Sequence, residues 1–310
     1  MKRFFIILGA VAFSLWNVCA QIVITSGSMS SGTQKPPKTL DDMMLQITYE
    51  VRSVRDSLKP DQSVEDVMVL QIGKQGISKY YNDSNRRRDS MILAMNPQLA
   101  SPGAGGSVTI RADAQSLQSQ GIRQGSGDQT TIFKNWPAGN ITVTDRVMMN
   151  QYSYTEPANQ MEWQILPETD TILSYFCQKA VTEFRGRRYE AWFTPEIPLY
   201  EGPWKFGGLP GLILKVSDTR NHYSFQCTGL IQADGPVAFA DVDYIKTNRK
   251  DFSKVKRKFY EDPMGSIEAM NSSIGDGRQV SVQVRNRDGT PVTQGGRPMS
   301  MPYNPIELDL

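Results

Sequence analysis

Apolar and polar residues alternate along much of the chain between residues 45 and 232, and this period of two is typical of β-strands with one buried face. The segment LQITYEV at 45–51 has an apolar or aromatic side chain at every second position. The segment VMVLQIGKQGISKYY at 67–81 predicts a hairpin whose turn is bracketed by Gly73 and Gly76. Further strands are predicted in ITVTDRVMMNQYSYTEP, MEWQILPET, LILKVSD and HYSFQCTGLI.

The clearest hairpin is predicted within residues 172–193, where ILSYFCQKAVTEF and RRYEAWF flank an Arg-Gly dipeptide at 185–186. If this dipeptide forms the turn, Glu183 lies opposite Arg188 and Ala180 lies opposite Ala191. Both pairings are favourable across an antiparallel ladder, because one joins opposite charges and the other joins two small residues.

Helical periodicity is confined to short segments. Apolar and aromatic residues recur on one stripe of DFSKVKRKFYED at 251–262, and Pro263 is expected to end or kink this helix. The segment at 84–95 predicts either a short helix that begins at Ser84 or Asn85, or an exposed loop around three arginines.

These elements predict a mainly β fold, built as a curved antiparallel sheet or half-barrel with one or two short helices. Residues 45–270 form the single predicted domain, and its Gly-, Ser- and Gln-rich insertion at about 98–130 is expected to be disordered. Residues 21–44 are predicted to be a flexible leader, and residues 271–310 a mostly irregular tail.

The chain begins as exported proteins do, since Lys2 and Arg3 precede an apolar run that ends in small residues. We predict a signal peptide at 1–20, cleaved after Ala20; lipidation of Cys19 is an alternative that the preceding residues fit poorly. The chain has 34 Lys and Arg against 32 Asp and Glu, and cleavage leaves the two signs equal. A neutral chain has no electrostatic reason to bind nucleic acid.

The cysteine and histidine counts limit the chemistry of the chain. One His and three Cys exclude intrachain multi-histidine metal centres and sites that need four cysteines, and we predict neither a metal nor a cofactor. After cleavage, Cys177 and Cys227 remain in an oxidising compartment, where a disulfide between them is predicted. Two unpaired buried thiols are the alternative.

The most distinctive segment is AWFTPEIPLYEGPWKFGGLPGLIL at 191–214, which is dense in aromatic residues, prolines and glycines. Prolines fix φ and glycines permit conformations that cost other residues energy, so together they specify one irregular path. The run LIL at 212–214 is typical of a strand buried on both faces.

The motif GLPGLIL at 208–214 matches the signature of the GLPGLI family of exported bacterial proteins, and the chain resembles this family from about Tyr49 to Leu308. The likeness includes Tyr175, Cys177 and the segments AWFTPEIP and NPIEL. It implies a β-rich envelope protein of double-membraned bacteria, in the periplasm or at the outer-membrane periphery, with no established reaction. A weaker likeness to the sheets of periplasmic lipoprotein carriers implies a concave face that holds an acyl chain.

Two interpretations of the aromatic segment remain open. The aromatic residues form a core corner at one end of a curved sheet, or they line a groove for an apolar or peptide ligand. The groove hypothesis names seven residues: Trp192, Phe193, Pro198, Trp204, Phe206, Leu209 and Leu212.

The alternative function class is a hydrolase that uses carboxylates, with Glu190, Glu196 and Glu201 as the candidates. Surface charges that meet nearby basic residues explain these carboxylates equally simply. His222 follows Asp218 by four positions, but no G-x-S-x-G motif accompanies it, so a strand-end histidine is the preferred interpretation.

We predict a noncatalytic envelope protein that binds an apolar or peptide ligand, or that docks to an outer-membrane transport assembly. A purely structural envelope partner is a further alternative. Three tripeptides resemble periplasmic O-glycan acceptor sites of the bacteria in which the family occurs, which implies glycosylation at Ser57, Ser90 or Thr171.

Overall fold

We analysed a computed structural model of the chain. The structure describes residues 22–24, 36–87, 108–110, 128–148, 150–158, 160–263, 265–266, 269, 293–294, 297–298 and 300–309. The predicted signal peptide and most of the predicted insertion lie outside these residues.

Strands dominate the described residues, which confirms the predicted mainly β fold. Among the described residues, one long helix is present, α1 (Arg249–Glu261), and residues 83–87 form a short helical turn. The strands in chain order are β1 (Ile22–Ile24), β2 (Lys38–Val54), β3 (Ser63–Gly73), β4 (Ser78–Asn82), β5 (Val108–Ile110), β6 (Thr131–Lys134), β7 (Asn140–Val147), β8 (Asn150–Pro157), β9 (Gln164–Ile172), β10 (Tyr175–Phe184), β11 (Arg187–Thr194), β12 (Leu212–Asp218), β13 (Tyr223–Gln232), β14 (Pro236–Phe239), β15 (Ile245–Lys246), β16 (Thr293–Gln294) and β17 (Arg297–Pro298).

Thirteen of these strands form one open sheet, in the order β15-β8-β7-β6-β4-β3-β2-β13-β12-β11-β10-β9, and β14 pairs with the beginning of β2. The pairings are antiparallel, apart from the parallel contact between β15 and β8. Two small sheets pair β1 with β5 and β16 with β17. Within the described ranges, no helix is both long and apolar enough to cross a membrane.

Strand β2 lies at the centre of the sheet, and its period of two is confirmed because Ile47, Tyr49 and Val51 are buried. The strand begins at Lys38, however, inside the segment predicted to be a flexible leader. There it pairs with β14, for example through Asp42 and Pro236. A partner almost 200 residues away defines this part of the strand, so no local pattern reveals it.

Both predicted hairpins are present with the expected turns. The pairs Glu183–Arg188 and Ala180–Ala191 lie opposite one another as predicted. Arg185 and Gly186 both have positive φ, at 52° and 77°, and positive φ at both central residues is typical of the two-residue turn that matches strand twist. The β3–β4 hairpin turns at residues 74–77, between Gly73 and Ser78.

The segment between β11 and β12, here called the core loop (residues 195–211), folds into the interior of the sheet. Phe206 is fully buried and its ring contacts Tyr189 on β11 and Phe225 on β13. The run Leu212–Ile213–Leu214 that follows is also fully buried, as expected for a strand covered on both faces. The Tyr49 hydroxyl donates a hydrogen bond to the Ile213 carbonyl (2.7 Å) and fixes this strand against β2.

A segment late in the chain, the strap (residues 303–309), has no regular secondary structure but is fixed to the sheet by Arg187. This guanidinium is almost completely buried. Its Nε donates to the Ile306 carbonyl (3.0 Å), and its Nη2 donates to Asn304 Oδ1 (2.8 Å) and the Pro305 carbonyl (2.7 Å). Its Nη1 donates to Asp218 Oδ2 (2.8 Å). A single side chain therefore recognises three consecutive strap residues.

Two hydrogen bonds from side chains to backbone carbonyl oxygens complete the attachment of the strap. Asn304 Nδ2 donates to the Val54 carbonyl (2.7 Å), and the Tyr223 hydroxyl donates to the Asn304 carbonyl (2.6 Å). The strap then crosses the 185–186 turn, where a Cβ on Gly186 would lie 2.9 Å from Leu308 Cβ. Glycine at this position therefore serves both the turn and the close approach of the strap.

Helix α1 forms where the sequence predicts it. The Asn248 side chain caps it by accepting a hydrogen bond from the Asp251 amide, and the helix ends before Pro263. Its buried Phe252 packs against Tyr152 on β8, and Lys256 forms an ion pair with the buried Asp145 on β7 (2.6 Å). The helix is thus fixed to the β7–β8 half of the sheet.

The predicted disulfide is absent from the structure, in which Cys177 and Cys227 are free, buried thiols. They lie on β10 and β13, and β11 and β12 separate these strands in the sheet. Disulfide bonding needs Cα atoms within about 7 Å of each other, which neighbouring strands provide more readily than strands this far apart. Burial raises the pKa of both thiols to about 11, so both are protonated at neutral pH.

Gly211 of the GLPGLIL motif should not tolerate a side chain. A Cβ at this position would lie 2.1 Å from the Thr194 carbonyl oxygen, so the β11 end and the core loop would have to separate. We expect Gly211→Ala to lower the free energy of unfolding by about 2 kcal/mol or more, measured by urea denaturation.

Gly229→Ala is the matched control, because a Cβ there meets no atom within 4 Å. Its unfolding free energy should stay within about 0.5 kcal/mol of the parent value. Equal losses in the two variants would show that the close approach at Gly211 is not what the motif requires.

The fork geometry of Arg187 should matter more than its charge. Arg187→Lys keeps the positive charge but cannot supply five N–H donors in one plane, so we expect a loss of about 2 kcal/mol or more. Hydrogen exchange should become faster at the amides of the strap. Arg188→Lys, an exposed control on the same strand, should change neither quantity, and equal exchange in both variants would contradict the role given to Arg187.

Candidate functional site

A cleft of about 390 Å³ lies between the core loop and the β3–β8 part of the sheet. This size is within the usual range of small-molecule pockets. Much of its wall is apolar, and the apolar lining includes Met44, Ile72, Ile141, Met161, Phe184 and Leu199. Four charged residues contribute to the lining as two ion pairs, and a fifth, Lys74, lies on the exposed β3–β4 turn.

The first ion pair joins Lys134 at the end of β6 to Glu201 in the core loop. Lys134 Nζ lies 2.8 Å from Glu201 Oε2. It also donates to the carbonyl oxygens of Gly202 (2.6 Å) and Phe206 (2.8 Å). Because side chains alternate along β6, Ile132 and Lys134 point to the same face of the sheet. The buried Lys134 ammonium therefore lies beside the apolar core and holds the core loop in place through these contacts.

The second ion pair joins Lys205 in the core loop to Glu156 on β8, at 2.5 Å. Lys205 also contacts Glu307 of the strap at 2.5 Å and Tyr154 at 3.3 Å. Burial alone would lower the pKa of Lys205, but Tyr154, Glu307 and Glu156 together hold it above its ordinary value. Burial raises the pKa of Tyr154 to about 12 even though Lys205 opposes that change. Lys205 is therefore a permanent cation.

The Lys205 pair belongs to a larger network of charges. Glu156 also accepts from Arg185 (3.1 Å), and Arg249 at the start of α1 contacts Glu307 (3.2 Å). The network joins β8, the 185–186 turn, the core loop, α1 and the strap. Buried charges of this kind need several partners to offset their desolvation, and here each has at least two.

Most of the residues predicted to bind a ligand are part of the core. Phe193, Trp204, Phe206, Leu209 and Leu212 are all buried. In this structure the aromatic segment packs as the core-corner interpretation describes, and Phe206 is at its centre.

Two of the seven predicted residues have exposed surface, and they face different environments. Pro198 is exposed and lines the cleft. Trp192 is half-buried beneath Lys179, whose Nζ lies 5.8 Å from the indole ring centre. Since Lys179 also pairs with Glu190 at 3.0 Å, Trp192 belongs to a surface cluster on β10 and β11. The structure does not bring it to the cleft.

The three carboxylates suggested for hydrolysis have separate partners. Glu190 pairs with Lys179, and Glu201 pairs with Lys134. Glu196 accepts a hydrogen bond from the Phe176 amide (2.8 Å). Of the three, Glu201 is the one that lines the cleft.

His222 lies beside the strap and not in the cleft. Its Nδ1 is 3.3 Å from Arg187 Nη1, and its amide donates to Asp218 Oδ1 (2.7 Å). The strand-end interpretation of this histidine fits that position. In the described part of the chain, no group of three or more metal-ligating side chains is present.

Two of the predicted glycosylation positions are accessible. Ser57 is exposed in the turn after β2, beside an exposed Leu58, and Thr171 is exposed on β9. Ser90 lies outside the described residues. Glycosylation itself stays a prediction.

Sequence reasoning missed Lys134, Lys205, Glu156 and Glu307, which position the core loop. One signal was present: Lys205 lies between two aromatic residues in a segment otherwise dominated by apolar residues, prolines and glycines. A charge in such a segment requires buried partners. The partners themselves are about 50 and 100 positions away, at Glu156 and Glu307, so the sequence does not identify them.

Comparison with known proteins gives a match to a family profile over a short segment and a distant similarity to two solved structures. A family profile described as "Protein of unknown function (Porph_ging)" matches residues 181–215, the region that contains the end of β10, all of β11, the core loop and the GLPGLIL motif. No curated protein sequence matches the chain.

Two solved structures of a protein named PNGF-II are similar over part of the chain. They have TM-scores of 0.42 and 0.44, with 14% sequence identity in each case. The match covers 68% of this chain and spans about a third, 32%, of the length of the PNGF-II chain.

Proposed function

We propose that this chain is an exported, noncatalytic binding protein of the cell envelope, that it belongs to the GLPGLI family, and that its cleft binds an apolar or peptide ligand. The observation that carries the proposal is the cleft of about 390 Å³, whose wall combines apolar side chains with two ion pairs. A pocket with an apolar wall and few polar groups is typical of ligand-binding sites.

The charges at the cleft support binding more than catalysis. Lys205 holds its proton firmly and contacts Glu156, Glu307 and Tyr154. General acid–base catalysis needs a group whose pKa is close to the working pH. A group tied this strongly to its neighbours positions the core loop instead of transferring protons.

Docking to an outer-membrane transport assembly is a second candidate, and the β9–β10 hairpin supports it. β9 is an edge strand, and its other side has no partner strand among those described. Leu173 at the hairpin turn and Phe176 on β10 are 44% and 50% exposed. An unpaired edge beside exposed apolar side chains is a common feature of surfaces that meet other proteins.

The cleft proposal is tested by native mass spectrometry of the protein purified from its own envelope. We expect a retained small molecule or peptide in the parent protein, and its loss in Ala158→Trp, because Ala158 lines the cleft and an indole there would occupy the ligand volume. A drop in ligand occupancy of at least about tenfold is expected.

Ala240→Trp is the matched control, since Ala240 is exposed and is not part of the cleft lining. It should retain the ligand. A parent protein that carries nothing, or a ligand that stays bound in Ala158→Trp, would contradict the cleft as the binding site.

A further inference from the structure

We infer that the ligand of the cleft carries a carboxylate at one end of an apolar body, which is the chemistry shared by a fatty acid and by the C-terminal end of an apolar peptide. This inference rests on the proposed function, because it concerns the ligand of the same cleft. It follows from the charge balance of the lining and from the position of Lys74 at its rim.

The charged side chains of the lining do not balance one another. They are three lysines and two glutamates: Lys74, Lys134, Lys205, Glu156 and Glu201. Lys134 pairs with Glu201 (2.8 Å), and Lys205 pairs with Glu156 (2.5 Å). Glu201 Oε2, which faces Lys134, is buried. The two pairs leave one positive charge of the lining over, that of Lys74.

The charges behind the second pair do not alter this balance. Glu307 and Asp309 of the strap add two negative charges, and Arg185 and Arg249 add two positive ones. These four side chains pair with one another and with the Lys205–Glu156 pair, so the network as a whole is neutral. The positive charge at the rim is therefore not offset from within the wall.

Lys74 is exposed in the β3–β4 turn, at the rim of the cleft, and within the described ranges it forms no ion pair. The buried Asp41 lies next to this turn, but its oxygens accept from the amides of Asp42 (2.7 Å), Gln75 (2.9 Å) and Ile77 (3.2 Å). Neither Asp41 nor the exposed Asp42 lines the cleft. The Lys74 ammonium is thus free to meet an anionic group of a ligand.

The neutral polar side chains of the lining add hydrogen-bond donors. An amide nitrogen has two N–H donors. Asn135 Nδ2 donates one to the Gly76 carbonyl (3.4 Å), and Gln160 Nε2 donates one to the Pro157 carbonyl (2.8 Å), so each keeps a second. Because Asn135 contacts the turn that carries Lys74, a carboxylate held by Lys74 would have another donor nearby.

The polar and apolar parts of the cleft suit a ligand of this kind. The apolar body would pack against the apolar wall, which includes Met44, Ile72 and Ile141. The carboxylate would stay at the exposed rim, where it keeps part of its hydration and avoids the cost of burying a charge. An exposed ion pair contributes modestly and is screened by salt, so a moderate, salt-dependent preference is expected.

The probes are two matched pairs that differ in the polar end: octanoate with n-octanol, and N-acetyl-leucyl-leucine with its C-terminal amide. Binding to the purified protein is measured by calorimetry and by the fluorescence of Trp163, whose indole donates to the Gly207 carbonyl of the lining (2.9 Å). In at least one pair we expect the carboxylate to bind about fivefold more tightly than its neutral partner, and about 0.5 M NaCl to reduce this preference. The pair with the preference distinguishes a fatty acid from a peptide end.

Substitution of Lys74 provides the specific test. Lys74→Gln should bring the carboxylate to the affinity of its neutral partner, and Lys74→Glu should make the carboxylate the weaker ligand of the pair. Both changes are at an exposed position, where folding tolerates them. Lys59→Gln is the matched control, because Lys59 is an exposed lysine after β2 and outside the lining, and it should leave the preference unchanged.

The outcomes distinguish the inference from the function on which it rests. The carboxylate inference is overturned, while ligand binding by the cleft stands, if the neutral partner binds as tightly in both pairs or if Lys74→Gln acts no more strongly than Lys59→Gln. The same holds if no probe binds but Ala158→Trp loses the ligand in material from the native envelope. If no probe binds and Ala158→Trp changes nothing in that material, the cleft proposal itself fails.

Discussion

The rest of the structure depends on the burial of two ammonium groups, those of Lys134 and Lys205. Lys134 reaches up from the sheet to carbonyl oxygens of the core loop, and Lys205 reaches from the core loop to the sheet and the strap. Apolar packing alone is non-directional. The two ammonium groups fix the position of the core loop relative to the sheet, because each is stable only where its own acceptors surround it.

This arrangement explains why the core loop combines aromatic residues, glycines and a lysine. Phe206 and Trp204 fill the interior. Lys205, which lies between them in the sequence, instead contacts the anionic side chains of Glu156 and Glu307. Gly211 lets the backbone pass against Thr194 at a distance that excludes any side chain. Burial of charges is weak evidence for stability, and its best supported benefit is a single defined arrangement. Here the defined arrangement is the wall of the cleft.

Sequence patterns predicted those parts of the fold that depend on contacts between residues close together in the chain. The β10–β11 register followed from one Arg-Gly turn and from complementary pairs on either side of it, and α1 followed from its apolar stripe and Pro263. The first residues of β2, the strap and the cleft depend instead on partners far away in the chain, such as Arg187 with Ile306 across 119 positions. The sequence of the aromatic segment is compatible with both a core corner and a ligand groove, because large aromatic rings occur in both. Their neighbours in the folded protein decide between the two.

The long separation between Arg187 and the strap also bears on how the chain reaches its final state. Lys205 and Arg187 are placed in the interior by the hairpin and the core loop, yet Glu307 and the carbonyl oxygens that satisfy them arrive 102 and about 120 residues later. Until then Asp218 pairs with Arg187 and Glu156 pairs with Lys205, but the remaining donors of both cations lack acceptors, and buried donors without acceptors are costly. We therefore expect the interior to pack fully only when the strap is in place. The same contacts that fix the finished protein therefore make its completion depend on the strap.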